Sequence, residues 1–171
     1  AILGEARLGK SIVILGAGTI GLMVLQACKS LGATDITVVD VMDKRLDLAK
    51  ELGASRTING AKEDTVALLR SEELFGDHGV ELVFECAGST FTANQAVQIV
   101  ARGGKIMMVG TQSKPVPIDF LKINREVTIQ TSFRYCNNYP QTIEAIRSGK
   151  FNVKDMVTHV YDYKDVQQAF M

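Results

Sequence analysis

The segment SIVILGAGTIG, residues 11–21, limits the fold more than any other stretch of the chain. A short apolar run, Ser11 to Leu15, passes directly into Gly16, Gly18 and Gly21. Such a run suits a strand buried on both faces. Ile20, Met23, Val24, Ala27, Cys28 and Leu31 then recur on one helical face, and Gly32 stands where a helix C-terminus favours glycine. Strand, G-x-G-x-x-G turn and helix together open a dinucleotide-binding βαβ unit. The first glycine makes the tight turn. The second lets the backbone approach a pyrophosphate, and the third lets the helix pack on the strand. The helix N-terminus offers its unpaired N–H groups to the phosphates.

The residue that completes this fingerprint is Asp40, 19 positions after Gly21 at the end of DITVVD. A carboxylate there bonds the ribose hydroxyls and repels a 2′-phosphate, which favours NAD over NADP. Arg45, five residues on, either contacts the adenosine ribose or is a solvated helix charge. Other nucleotide motifs fit worse. A P-loop needs Gly-Lys-Ser/Thr, which is absent, and a G-x-G-x-G turn needs glycine at Ile20.

The rest of the chain alternates. Strands are expected at 11–15, 35–40, 56–59, 80–88 (a strand with a turn), 102–110 (a turn plus a strand) and 126–133. Helices are expected after the glycine turn, from an Asp43 N-cap to Leu52, over 64–74, over about ten residues from Thr92, from Pro140 to Ser148, and over 163–171. KPVPID (114–119) carries two prolines, so a strand there sits at a sheet edge. VTHVY (157–161) reads as a late strand holding His159. This alternation predicts an α/β fold of Rossmann type: a doubly wound, mostly parallel six-stranded sheet with helices on both faces, in one domain spanning 1–171.

Composition excludes several classes. Lys+Arg and Asp+Glu are both 19, giving zero formal charge, and no basic stripe marks a nucleic-acid partner. No apolar stretch has the length of a membrane span, and AILGEARLGK lacks a secretory pattern, so a cytoplasmic chain is expected. Cys28, Cys86 and Cys136 form no C-x-x-C pair and read as reduced, small hydrophobes. His78 and His159 have no metal-ligand spacing. Glu81 and Glu85 share a strand face, but nothing else supports an acid pair. No catalytic residue and no metal ligand is assigned within the chain.

The glycine turn, Asp40, DKRLDLAKELGA (43–54), VFECAG (83–88) and GGKIMMVG (103–110) together resemble the medium-chain, zinc-type alcohol and polyol dehydrogenases. FRYCNNYPQTIEAIRSGK (133–150) resembles their sorbitol dehydrogenase branch. The resemblance implies the NAD-binding domain of a larger enzyme, whose catalytic zinc belongs to a GroES-like domain with no counterpart in this chain. It implies that Gly16, Gly18, Thr19, Ile20 and Gly21 hold the dinucleotide and that Asp40 and Arg45 meet the adenosine ribose. Cys86 and Ala87 would pack beside the cofactor. Val109, Gly110, Thr111, Ser132 and Phe133 would line the nicotinamide pocket, and Arg134 and Tyr135 would reach toward a polyol. Plain alternatives stand beside these roles: strand core for Val109 and Phe133, surface or interface positions for Arg134 and Tyr135. The implied substrate of the whole enzyme is a small polyol or secondary alcohol. The implied assembly is a homodimer or homotetramer paired through edge strands, with PVPID as the edge. The other reading is a stand-alone NAD(H)-binding or sensing module without turnover.

Overall fold

A computed structural model describes residues 1–171 apart from Asn124 and Cys136. The third cysteine therefore lies outside the described residues. Strand β1 (Ser11–Leu15) leads through the glycine turn into α1 (Thr19–Ser30). Next come β2 (Asp35–Asp40), α2 (Asp43–Glu51), β3 (Arg56–Asn59) and α3 (Thr65–Leu69). The second half runs β4 (Val80–Glu85), α4 (Thr90–Ile99), β5 (Val100–Met108), β6 (Thr128–Thr131) and α5 (Tyr139–Arg147). A 3₁₀ turn at Tyr163–Asp165 and α6 (Val166–Phe170) follow.

The six strands form one sheet in the order β3-β2-β1-β4-β5-β6, and every neighbouring pair is parallel. This is the doubly wound order, with its switch point between β1 and β4. Alternate residues of the central strands feed two cores. Ile12, Ile14, Val38, Leu82 and Phe84 face α1 and α2, whose Leu25, Cys28, Leu46 and Ala49 cover them. Val13, Leu15, Ile58, Val83 and Ile106 face α3 and α4, whose Leu69, Ala96, Val97 and Ile99 cover the other side. Two covered faces explain why β1 reads as an unbroken apolar run.

The structure corrects several expected boundaries. Residues 114–119 form no strand, so the sheet edges are β3 and β6. Residues 157–161 form no strand either. His159 is exposed there, bonded through Nδ1 to Thr158 Oγ1 at 3.0 Å and stacked on Tyr161. Both segments have the residue types of a strand but pair with neither sheet edge, and a strand exists only as a partner. β6 stops at Thr131, although Ser132 N still donates to Met108 O (2.9 Å). β5 begins earlier than expected, at Val100. α3 ends at Leu69, five residues short of the expected limit, because a turn starts where Ser71 N bonds Leu68 O. Asp43 is the first residue of α2 rather than its cap. Its carboxylate accepts from Asn59 Nδ2 and Lys62 Nζ, both at 2.7 Å.

α5 buries none of its residues, and Tyr139, Ile143, Phe133 and Tyr135 are exposed around it. Among the described residues no helix is long and apolar enough to cross a membrane.

Candidate functional site

The carboxyl ends of β1, β2 and β4 open into a cleft of about 390 Å³ lined by Gly16, Gly18, Asp40, Arg45, Cys86 and Ala87, among others. Backbone bonds set its floor. Gly16 N donates to Val39 O (2.8 Å) and Cys86 N to Leu15 O (2.8 Å), locking the turn against both neighbouring strands. Gly16 has φ +103°, and a Cβ there would meet Ala87 N at 2.9 Å. At Gly21 a Cβ would lie 1.8 Å from Gly16 O, so the helix touches the turn backbone directly. Gly18 differs: a Cβ there would meet nothing within 4 Å, because it faces the open cleft. No side chain caps the first N–H groups of α1, and no acidic residue lies in its first turn. An uncapped helix N-terminus beside open space fits a phosphate group.

Asp40 closes β2 across from this turn and is 9% exposed. Its Oδ2 accepts from Ala17 N at 2.7 Å. Its Oδ1 accepts from Val41 N (2.8 Å) and Met42 N (3.0 Å). The carboxylate therefore shapes the turn as well as facing the cleft. Arg45 lies 3.7 Å from Oδ2 with a half-exposed side chain. Arg45 is thus partly solvated and lines the cleft beside the aspartate.

Cys86 is half-buried at the cleft wall and packs against the core. Burial pushes its thiol up to about 12, with the negative charge of Glu85 adding to the shift. Burial alone raises Cys28 to about 11. A raised thiol is an inert one. Alkylation by iodoacetamide at pH 8, read site by site by mass spectrometry, is expected to leave both cysteines unmodified while a free model thiol reacts fully. Fast labelling of Cys86 would contradict its role as packing.

The other expected site residues divide into two groups. Val109, Ser132 and Arg134 line a second cleft, next to Phe84 and Met107 on the α1 side of the sheet. Gly110 and Thr111 follow β5 directly, with Gly110 N bonded to Glu85 O at 2.8 Å. Thr19 and Ile20 begin α1, and both are exposed. Phe133 is 86% exposed, so it is neither core nor cleft wall within this chain, and the Arg134 guanidinium lies 5.0 Å from its ring centre. Tyr135 is exposed and edge-on to Tyr139. The structure does not bring Phe133 or Tyr135 to either cleft.

Glu81 and Glu85 do not form a pair. The β4–β5 register shifts between Val80 and Leu82. Glu81 is exposed and accepts from Ser11 N (2.9 Å), whereas Glu85 is fully buried. Sequence reasoning missed Thr65, Phe91 and Gln95, which line the far end of the first cleft. The position of Thr65 and Phe91 at the starts of α3 and α4, beyond the carboxyl ends of strands, was the available signal; Gln95, midway along α4, carried none.

The zinc-binding dehydrogenase family matches residues 19–148. The uncharacterized zinc-type alcohol dehydrogenase-like protein YdjJ of Escherichia coli K12 is 64% identical over 170 residues, covering 99% of this chain and 48% of that protein. Sorbitol dehydrogenase of Bacillus subtilis is 38% identical over 164 residues, covering 94% and 46%. Among solved structures, an Escherichia coli oxidoreductase/dehydrogenase of unknown specificity superposes with TM-score 0.95 at 63% identity, covering 99% of this chain and 48% of the other. A protein of Sinorhizobium meliloti 1021 described as a zinc-binding dehydrogenase, bound to NADP, gives TM-score 0.85 at 26% identity over 92% and 47%. An Escherichia coli CFT073 protein described as a short chain alcohol dehydrogenase, complexed with NADH, gives 0.90 at 25% over 98% and 49%. The chain spans about half the length of the relatives it matches. With a six-stranded parallel sheet, a glycine turn at its switch point and a family match over most of its length, the chain belongs to the zinc-binding dehydrogenase family.

Proposed function

We propose that this chain is the NAD(H)-binding domain of a zinc-dependent polyol or secondary-alcohol dehydrogenase. One observation carries the reading: the uncapped start of α1, the open space at Gly18 and the Asp40 carboxylate share a single cleft. Gly16, Gly18, Thr19, Ile20 and Gly21 hold the pyrophosphate: Gly16, its N–H bonded to Val39 O, shapes the turn, and the uncapped N–H groups at the start of α1 meet the phosphates. Asp40 and Arg45 take the adenosine ribose, and Cys86 and Ala87 form the apolar wall between the two ends of the dinucleotide. Val109, Gly110, Thr111 and Ser132 line the nicotinamide end. Phe133, Arg134 and Tyr135 stand beyond it, and Arg134 and Tyr135 face the polyol in the complete enzyme. When bound, the nicotinamide supplies a hydride acceptor, and the zinc of the enzyme's other half supplies Lewis acidity. The residues of this chain bind and orient the cofactor. The exposed apolar side chains around α5 are the surface against which that other half packs.

Asp40 favours NAD, since its charge opposes a 2′-phosphate. Self-association through a sheet edge is assigned to β6, because 114–119 forms no strand. The test is a titration with NADH and with NADPH, read by the fluorescence of the reduced nicotinamide; the chain has no Trp to serve as a donor. Binding of NADH at least about tenfold tighter than NADPH is expected. Equal binding, or tighter NADPH, would overturn the NAD preference. Failure to bind either would overturn the cofactor reading.

A further inference from the structure

Glu85, the last residue of β4, is 0% exposed, and all its hydrogen-bond partners are neutral. Its Oε1 accepts from Ala87 N (3.0 Å), Gly88 N (2.8 Å) and Thr92 Oγ1 (2.7 Å). Its Oε2 accepts from Gln112 Nε2 (2.9 Å). Among the described residues no cation pairs with it. A buried carboxylate without a counter-charge is costly. Four neutral donors account for its bonding but leave its negative charge uncompensated.

That charge reaches the cofactor clefts on two sides. Cys86, next in sequence, lines the first cleft, and its thiol responds to the Glu85 charge. On the other side Oε2 lies 2.7 Å from where a Cβ on Gly110 would stand. The carboxylate therefore lies directly against the backbone of Gly110, in the middle of the segment 109–111. We propose that Glu85 biases this site toward the oxidised, positively charged form of the nicotinamide, so that NAD+ is held more tightly relative to NADH than it would be without the carboxylate. The proposal rests on the assignment of residues 109–111 to the nicotinamide end. The pyridinium ring of NAD+ carries one positive charge and the dihydropyridine ring of NADH none. A fixed carboxylate in a poorly screened interior separates the two by charge alone.

The test is equilibrium binding of NAD+ and NADH by calorimetry to the unmodified protein and to three variants. Glu85→Gln keeps the shape and is expected to raise the NAD+ dissociation constant roughly tenfold while leaving NADH almost unchanged. Gln112→Lys sets a cation against Oε2 and shifts the ratio in the same direction with the carboxylate in place. Gln112→Met removes the same hydrogen bond without adding charge and leaves the ratio unchanged. A purely structural Glu85 would weaken both forms in parallel, and an unchanged ratio in Glu85→Gln overturns the proposal. If Glu85→Gln does not fold, an unchanged ratio in Gln112→Lys overturns it. Absence of binding of either form to the unmodified protein overturns the cofactor reading and this proposal with it.

Discussion

Gly21→Ala is expected to lower stability by about 3 kcal/mol and cofactor affinity by at least roughly a hundredfold, whereas Gly18→Ala lowers affinity alone. The two glycines sit three residues apart in one turn, yet the structure gives them different tasks. A methyl at Gly21 would lie 1.8 Å from Gly16 O, a backbone atom fixed by the Gly16–Val39 hydrogen bond. Neither side can yield by rotating a side chain, so α1 must lift from β1. Lifting opens the core at Leu22 and Leu25, which are 4% and 0% exposed. It also displaces the uncapped N–H groups at the start of α1, to which the proposed function assigns the phosphates. At Gly18 the backbone is extended, with φ −70° and ψ −176°, which alanine adopts freely. A methyl there meets no protein atom but occupies the open space that the proposed function gives to a phosphate. Thermal unfolding and NADH titration of both variants check this. The expected result is a fall in Tm of about 8 °C for Gly21→Ala and none for Gly18→Ala. NADH binding is expected to fall roughly tenfold in Gly18→Ala, and unchanged binding there would show that no phosphate approaches Gly18.

Asp40 carries the second large effect, and its two roles separate by choice of substitution. Asp40→Ala removes the acceptor of three backbone N–H groups, at Ala17, Val41 and Met42. Leaving such donors unsatisfied in a buried site costs about 2–4 kcal/mol. NADH binding is then expected to be lost together with part of the stability. Asp40→Asn keeps an oxygen for Val41 and Met42 and turns an NH₂ toward Ala17, at a cost of about 1–2 kcal/mol. It also removes the negative charge that faces a 2′-phosphate while Arg45 stays beside it. The NADPH-to-NADH affinity ratio is therefore expected to rise by more than about tenfold in Asp40→Asn. Urea unfolding and paired titrations check both variants. An unmoved ratio in a folded Asp40→Asn protein would assign Asp40 to the turn alone.

The sheet was largely legible in the sequence. The apolar run 11–15, the helical spacing that follows Gly18 and the alternation of strand and helix patterns each act over a few residues. Right-handed crossovers then leave few orders for six parallel strands. The segments 114–119 and 157–161 were misread for one reason. Val, Ile and Tyr at such positions fit a strand, but pairing depends on the fold laying the segment along a sheet edge, and neither segment lies along β3 or β6.

Sequence alone determined where the glycine turn and its facing carboxylate stand, because Gly16, Gly18, Gly21 and Asp40 are set by spacing within a single βαβ unit. Tertiary structure alone decided how the site is held and charged. Gln112 reaches Glu85 across 27 positions, and Ala17 reaches Asp40 across 23. It also decided that Phe133 and Tyr135 stand exposed, away from both clefts. Local patterns set which residues turn, cap or alternate. The partner of a buried carboxylate, or the cover over an aromatic ring, depends on which distant segments the folded sheet brings together.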